Sequence, residues 1–414
     1  MLPVIKHGTD FREMTARVLL ICLGIVLGCL IAEAGIRLSG IAKPQFYTYS
    51  SGRGWKMLPG ASGWQTDEGR AWMKVNRWGF RGFDWTLAKP TGTLRIAVLG
   101  DSITEAQQVP ENQTFCAVTE RTLKHDLPLP SASRFHWVRN VEVMNFGVDG
   151  YGTAQELLTL ERDVWHFSPD IVVLAFFNGN DLRNNSVALE GDKCRPFYVY
   201  RHGTLVLGGP FCDSRWFRFG CFARFESRRS QLLNVLGSAR SVLRARWRNW
   251  RRRGAAAASG ATAPARDRMP LHEEGLEDQI YRPPQGRAWL DAWSVTEAET
   301  EMVHQSARQH GAEFLLVTVG AGMQVFPSEP ARQNYLRAVH GTSLFYPDSR
   351  LKALGERDGF AVLNLPPPMQ AYADAHKVFF HGFPNTAMGS GHLNERGHCF
   401  AGKLIAQELR RMLA

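Results

Sequence analysis

The stretch Leu94-Arg-Ile-Ala-Val-Leu-Gly100-Asp-Ser102 decides the fold. Its first seven residues are a short, apolar, β-branched run that stops at glycine, which predicts a strand buried on both faces of a parallel sheet. Ligands in open parallel sheets bind beyond the carboxyl ends of the strands. Ser102 therefore stands where a nucleophile would be put, although Gly-Asp-Ser alone also fits an ordinary loop serine.

Three further segments stand in comparable places. Val141–Asn145 is strand-like and runs into Phe-Gly-Val-Asp-Gly150-Tyr-Gly-Thr153. Asp170–Phe177 is strand-like and runs into Asn178-Gly-Asn180-Asp181. Gly391-His392-Leu-Asn394-Glu-Arg-Gly397-His398 precedes an amphipathic stretch at the C-terminal end. Ser, Gly, Asn and His in this order, each at a strand end or helix start, resemble the blocks of the SGNH (GDSL-type) hydrolases, in particular their membrane-anchored bacterial members. The resemblance implies a three-layer α/β/α sandwich around a parallel five-stranded sheet of flavodoxin-like order 2-1-3-4-5. The strands along the chain are expected at Leu94–Gly100, Val141–Asn145, Asp170–Phe177, Glu313–Val319 and Ala361–Leu365. Helices are expected over Gln113–Lys124, Thr153–His166, Ala288–Gly311 and Glu395–Leu413.

Acyl-ester cleavage needs a nucleophile, a base within hydrogen-bond reach and donors for the oxyanion. The resemblance implies Ser102 as nucleophile and His392 as base, since the first histidine of His-Leu-Asn-x-x-Gly-His is the catalytic one. His398, the competitor, falls inside the predicted helix and reads as a core-facing residue. The oxyanion donors implied are the backbone N–H groups of Ser102 and Gly150 and the side-chain amide of Asn180. Gly150 is preferred to Gly147 because the family glycine lies five residues after the asparagine, here Asn145. Asp101 and Asp181 read as loop braces. One departure is sharp. The family carries an aspartate two or three residues before the histidine, and here those positions are Ser390 and Gly389. A serine–histidine dyad, a backbone carbonyl, or a distant carboxylate such as Asp374 or Glu105 remain as alternatives. The same departure leaves room for an inactive relative kept as a binding protein.

The chain has 414 residues, 44% of them hydrophobic and 21% charged, which is the make-up of an ordinary globular protein with room for a large core. The formal charge of +10 comes largely from arginines between 215 and 253. Without zinc-finger spacing or an RNA-binding aromatic signature, that excess does not make a nucleic-acid protein. It fits contact with an anionic surface. No metal motif, phosphate loop or dinucleotide fingerprint occurs, so no cofactor is expected. Of the seven cysteines, Cys194, Cys212 and Cys221 cluster, and this suggests one disulfide in an oxidising compartment, with free buried thiols as the alternative.

Domain organisation follows composition. Residues 1–17 form a short N-terminal segment. Residues 18–38 are apolar and, at 1.5 Å per residue, reach about 30 Å, enough to cross a membrane. An uncleaved signal anchor is the first reading, with a cleaved signal peptide ending near Ala32-Glu33-Ala34 and a lipoprotein signal at Val26-Leu-Gly-Cys29 as alternatives. Residues 39–93 form an extension that packs on the catalytic domain, including Asn76-x-x-Gly-Phe-Arg-Gly82. Residues 94–414 form the hydrolase domain, interrupted by an insert at 190–283. Within the insert, Leu232–Trp250 reads as a basic amphipathic helix and the Gly/Ala/Ser-rich 254–266 as a disordered loop. The functional expectation is an inner-membrane-anchored, periplasmic serine esterase or acyltransferase acting on O-acyl groups of a cell-surface or secreted polysaccharide. A lipid esterase or lysophospholipase and a non-catalytic polysaccharide-binding or assembly factor are the alternatives.

Overall fold

The computed structural model describes residues 11–39, 44–237, 239–240 and 276–414. The chain divides into two compact units, residues 1–45 with 223–268 and residues 46–222 with 269–414. In the first, helix α1 (Phe11–Leu38) contains a stretch, Glu13–Leu38, long and apolar enough to cross a membrane; an anchor and a signal sequence both meet that description. Glu33 and Arg37, four residues apart, pair at 2.7 Å as the spacing anticipates. Glu33 also accepts from Ser230 Oγ and from the N–H groups of Gln231 and Leu232, where a helical turn over 231–237 begins. The remainder of the expected 232–250 helix lies largely outside the described residues, and the 254–266 segment wholly so.

The second unit opens with two short hairpins, β1 (Tyr47–Ser50) with β2 (Gly54–Met57), and β3 (Ser62–Gln65) with β4 (Ala71–Lys74). Composition alone shows residues 39–93 as turn-rich, and these hairpins are new. The central sheet follows. Strand β5 (Thr93–Gly100) is buried at every position, as expected for a strand covered on both faces. It leads into the one-turn helix α2 (Ser102–Glu105), then α3 (Phe115–His125) and β6 (Asn140–Asn145). Helix α4 (Thr153–Arg162) precedes β7 (Ile171–Phe177) and the short α5 (Asp181–Asn184). The insert holds a hairpin, β8 (Phe197–Arg201) and β9 (Thr204–Gly208), then α6 (Pro210–Asp213) and α7 (Arg215–Ser227). Cys194 and Cys221 are disulfide-bonded, leaving Cys212 free.

Alternation resumes with α8 (Arg287–Gln309), β10 (Glu313–Val319), α9 (Glu329–Ala338), α10 (Tyr346–Asp358), β11 (Ala361–Asn364), α11 (Pro366–His376) and α12 (Glu395–Leu413). The five parallel strands run in the order β11-β10-β7-β5-β6, which is the expected 2-1-3-4-5. Helices α3, α11 and α12 share one core with Ile96, Val98, Val173, Ala175, Leu315 and Val317. Helices α4 and α8 pack against β5, β7 and β10 as well, so the sheet is sandwiched between helices. The order reverses at β5, which places a cleft at its carboxyl end.

The Asn76–Gly82 run packs through its aromatic side chains. Phe80 meets Phe146 edge-on at 4.7 Å and Trp78 meets Phe167 at 5.5 Å. Arg81 adds something composition does not show. Fully buried, it donates to Glu111 and to the carbonyls of Glu105, Ala106 and Val109, fastening the loop beyond α2.

His398 is a core residue of α12, fully buried and stacked on Phe115, whose N–H it accepts at Nδ1 over 3.3 Å. Burial, then the nearby Arg81 charge, pulls it from 6.5 down to about 3. The folded protein therefore keeps this ring neutral where the unfolded chain protonates it, and stability is lost as pH falls below 6.5. His398→Gln should remove that dependence. In denaturant titrations the wild type's stability advantage over the variant should shrink by ~1.4 kcal/mol per pH unit between pH 6 and 4. A constant difference across that range would show that His398 does not titrate as its burial requires.

Candidate active site

The sheet brings the four sequence blocks to one edge. Ser102 follows β5, Gly150 follows β6 and Asn180 follows β7, the two neighbours of β5 in the sheet. Asp101 caps α2, its carboxylate accepting the Ile103 N–H at 2.9 Å, and this turns the Ser102 side chain out of the strand direction. Burial, opposed by that hydrogen bond, pushes Asp101 up to about 6. Asp181 accepts the Phe177 N–H at 2.7 Å. Both aspartates thus brace their loops.

His392 lies 2.9 Å from the serine, Nε2 to Oγ. Its loop is held from behind. His381 Nδ1 donates to the Gly391 carbonyl at 2.7 Å, the His392 carbonyl accepts from Gly382 N–H, and His381 and Leu393 form a β-bridge. His398 takes no part in the contact with Ser102.

The group that holds the imidazole is Glu68, at the turn of the β3–β4 hairpin. Its Oε2 is 2.5 Å from His392 Nδ1 and its Oε1 accepts the His392 backbone N–H at 2.9 Å. This corrects the expectation for Asp374 or Glu105. Asp374 is engaged by both guanidinium nitrogens of Arg332, at 2.7 and 2.8 Å. Glu105 is buried and takes the Tyr47 hydroxyl and the Asp149 N–H. Burial and the Asp149 charge push Glu105 up to about 8. Glu68 itself is held because Asn385 clamps the hairpin turn, accepting from Gly69 N–H and donating to the carbonyls of Thr66 and Gly69.

Two glycines explain why a distant glutamate serves here. Gly391 has φ +81°, and a Cβ there would sit 2.1 Å from Glu68 Oε1, so only glycine admits the carboxylate this close. Gly389, one of the two positions where the resemblance puts an aspartate, has φ +92°, and a Cβ there would meet the Phe326 ring at 2.4 Å. No side chain fits that position. The sequence signal for Glu68 was absent because its partner is 324 residues away and no local spacing marks it.

With Nδ1–H donating to Glu68, Nε2 is left to accept the serine proton. Burial opposes the imidazolium, but the Glu68 hydrogen bond and charge outweigh it and hold His392 above the usual imidazole range. Glu68 is held below its usual range, since the contacts with His392 outweigh burial.

Candidate oxyanion donors are free. Among the described residues, the N–H groups of Ser102 and Gly150 donate to no protein acceptor, whereas Gly147 N–H is taken by Asn145 Oδ1 at 2.9 Å. The Asn178 amide is committed to Asp348 at 2.9 Å, while Asn180 has no such partner among the described residues. The arrangement provides a hydroxyl, an oriented imidazole and unspent donors, which is what serine-based acyl transfer requires.

No family model and no curated protein matches the chain. Structural neighbours are SGNH/GDSL-type esterases and acylhydrolases at low sequence identity. One is the acetyl xylan esterase AlAXEase, with 13% identity and a TM-score of 0.36 over 76% of this chain and 100% of that one. A second is the lipase/acylhydrolase from Enterococcus faecalis, with 15% identity and a TM-score of 0.35 over 78% and 97%. A third is a GDSL-like lipase from Bacteroides thetaiotaomicron, with 12% identity and a TM-score of 0.31 over 77% and 89%. At these values the likeness bears no weight for function; the fold stands on its strand order and the site on its distances.

A base must be neutral to accept a proton, so activity on a 4-nitrophenyl ester should fall as pH drops through the His392 pKa. Glu68→Gln removes the charge that favours the imidazolium. Its kcat/KM should drop roughly 10²–10⁴-fold, and the acidic limb of the pH profile should move to lower pH. Glu68→Asp should recover part of the loss. An unmoved limb in Glu68→Gln would exclude electrostatic contact between Glu68 and His392.

Proposed function

We propose that this chain is a serine esterase or acyltransferase acting on ester-linked acyl groups, acetyl foremost, of a cell-surface or secreted polysaccharide. The observation that carries the reading is the continuous line from Ser102 Oγ through His392 to the Glu68 carboxylate, with links of 2.9 and 2.5 Å. In this mechanism Ser102 Oγ adds to the ester carbonyl carbon while its proton passes to His392 Nε2. The carbonyl oxygen becomes an oxyanion facing the Ser102 and Gly150 N–H groups and the Asn180 amide. Collapse expels the alcohol, which takes the proton from His392, and leaves an acyl-enzyme. Water or a sugar hydroxyl then attacks with His392 again as base, giving hydrolysis or transfer. Each oxyanion donor contributes about 3 kcal/mol to such a step.

A carbohydrate substrate fits the hairpin that carries Glu68. Trp64 and Trp72, paired across β3 and β4, are each about half exposed and meet edge-on at 5.6 Å. Large exposed aromatic faces mark ligand surfaces, and a sugar ring presents the matching C–H face. The Cys194–Cys221 disulfide, which favours an oxidising compartment, and the apolar α1, long enough for an anchor, support a membrane-anchored catalytic unit on the periplasmic side.

A serine-reactive fluorophosphonate should label the wild type on Ser102 and leave Ser102→Ala unlabelled with its fold intact. His392→Ala should lower ester turnover about as severely as Ser102→Ala, on the order of 10⁴-fold or more, because nucleophile and base act as one unit. Full labelling of Ser102→Ala, or an unreactive wild type, would overturn the esterase reading. A reporter active only in the periplasm, fused after Ala414, should be active; activity of a cytoplasm-only reporter there would overturn the placement.

A further inference from the structure

Beside the candidate oxyanion glycine lies a guanidinium with a long ion pair to Glu190 and no hydrogen bond among the described residues. Arg195 is only 4% exposed, yet among the described residues it forms no hydrogen bond. Its Nε and Nη1 are buried without any acceptor, and its nearest carboxylate, Glu190, is 4.0 Å away. Buried charged donors are almost always hydrogen-bonded, because removing them from water without a partner is costly. An arginine is also never neutralised by losing its proton. Loop geometry nevertheless holds it in place. Its neighbour Cys194 is tied to Cys221, and its guanidinium lies over the Trp55 ring at 4.8 Å. Trp55 in turn donates to the Asp149 carbonyl at 3.0 Å.

This guanidinium lies close to Gly150. A Cβ on Gly150, which has φ +71°, would lie 3.4 Å from the Trp55 ring and 3.9 Å from Arg195 Nη2. Nη2, the nitrogen 4.0 Å from Glu190, is the one of the three that is not sealed off, and it lies beside the residue whose N–H is the candidate oxyanion donor. The charged groups around it are Glu190 and Asp192 of its own loop, Asp149 of the loop after β6, and Arg183 of α5, which itself reaches Glu190 at 3.5 Å. Glu190 is thus divided between two arginines and neutralises neither fully.

We infer that Arg195, stacked on Trp55, is a specificity residue that binds an oxyanion carried by the substrate next to the scissile ester, so that the acylated sugar is an anionic one. This rests on the esterase reading above and deepens it. The anion is a carboxylate, as on a uronic acid, or a phosphate on the sugar; either can accept from the N–H donors of Nη2 in a charge-assisted hydrogen bond. A neutral acylated sugar would offer them only uncharged, weaker acceptors.

The experiment compares kcat/KM of the full-length protein in detergent on three substrates. These are O-acetylated polygalacturonate, an O-acetylated glycerol phosphate and O-acetylated xylan, which represent carboxylate, phosphate and neutral cases. The wild type should prefer one of the anionic substrates to the xylan by about tenfold to a hundredfold, the range of a charge-assisted hydrogen bond. Which anionic substrate wins identifies the source of the charge. Arg195→Met should abolish most of that preference, chiefly through KM, and Arg195→Lys should keep part of it. Melting temperatures of both variants control for folding. A wild type without preference for either anion, or an Arg195→Met variant that loses activity on all three in equal proportion, overturns the inference. Failure of the fluorophosphonate to label the wild type would instead overturn the esterase reading itself.

Discussion

The two-point grip of Glu68 on His392 is the contact on which the candidate site depends. The carboxylate holds both the ring nitrogen and the backbone N–H of the histidine, and so fixes its position and its tautomer together. Without it, the imidazole would sit on a loop of positive-φ glycines with no partner for Nδ1. The cost of ordering such a loop is set against contacts from three directions. These are the Asn385 clamp on the hairpin, the His381 bond to the Gly391 carbonyl, and the β-bridge through Leu393. The His381 bond is half-buried, where a hydrogen bond is less weakened by competing water.

This places a functional demand on the region before the sheet. The β3–β4 hairpin is small, and two strands alone are marginal in water. Its turn is stabilised by tertiary contact with the same loop that it serves. The hairpin and the His392 loop therefore order one another. The close approach of Glu68 requires glycine at 391, and the packing of Phe326 requires glycine at 389. Glycine at 391 admits the Glu68 carboxylate, and glycine at 389 leaves no room for a side chain at one of the two expected aspartate positions, Ser390 being the other.

Much of the fold is legible in the sequence. Buried strands such as β5 and β7 are unbroken apolar runs, and their positions are recoverable to within a residue or so because burial on both faces leaves no polar interruption. The closing helix shows its periodicity and its Asn394 cap. The pairing of Ser102 with His392 is legible only through resemblance, since no local pattern joins residues 290 positions apart. The hairpins at 47–74 were hidden because their strands are four residues long and interrupted by turns. Glu68 and Arg195 were hidden for a related reason. Each owes its place to a tertiary contact, and each stands in a segment whose composition reads as surface loop.

The central claim is that the hairpin glutamate carries the proton-sharing contact to the base. Proton NMR of the full-length chain in detergent micelles, with histidine ¹⁵N-labelled at Nδ1, tests it directly. The account predicts one strongly downfield proton attached to a histidine Nδ1 in the wild type, absent from both Glu68→Gln and His392→Gln. The same downfield proton surviving in Glu68→Gln would contradict it and would give the imidazole another partner.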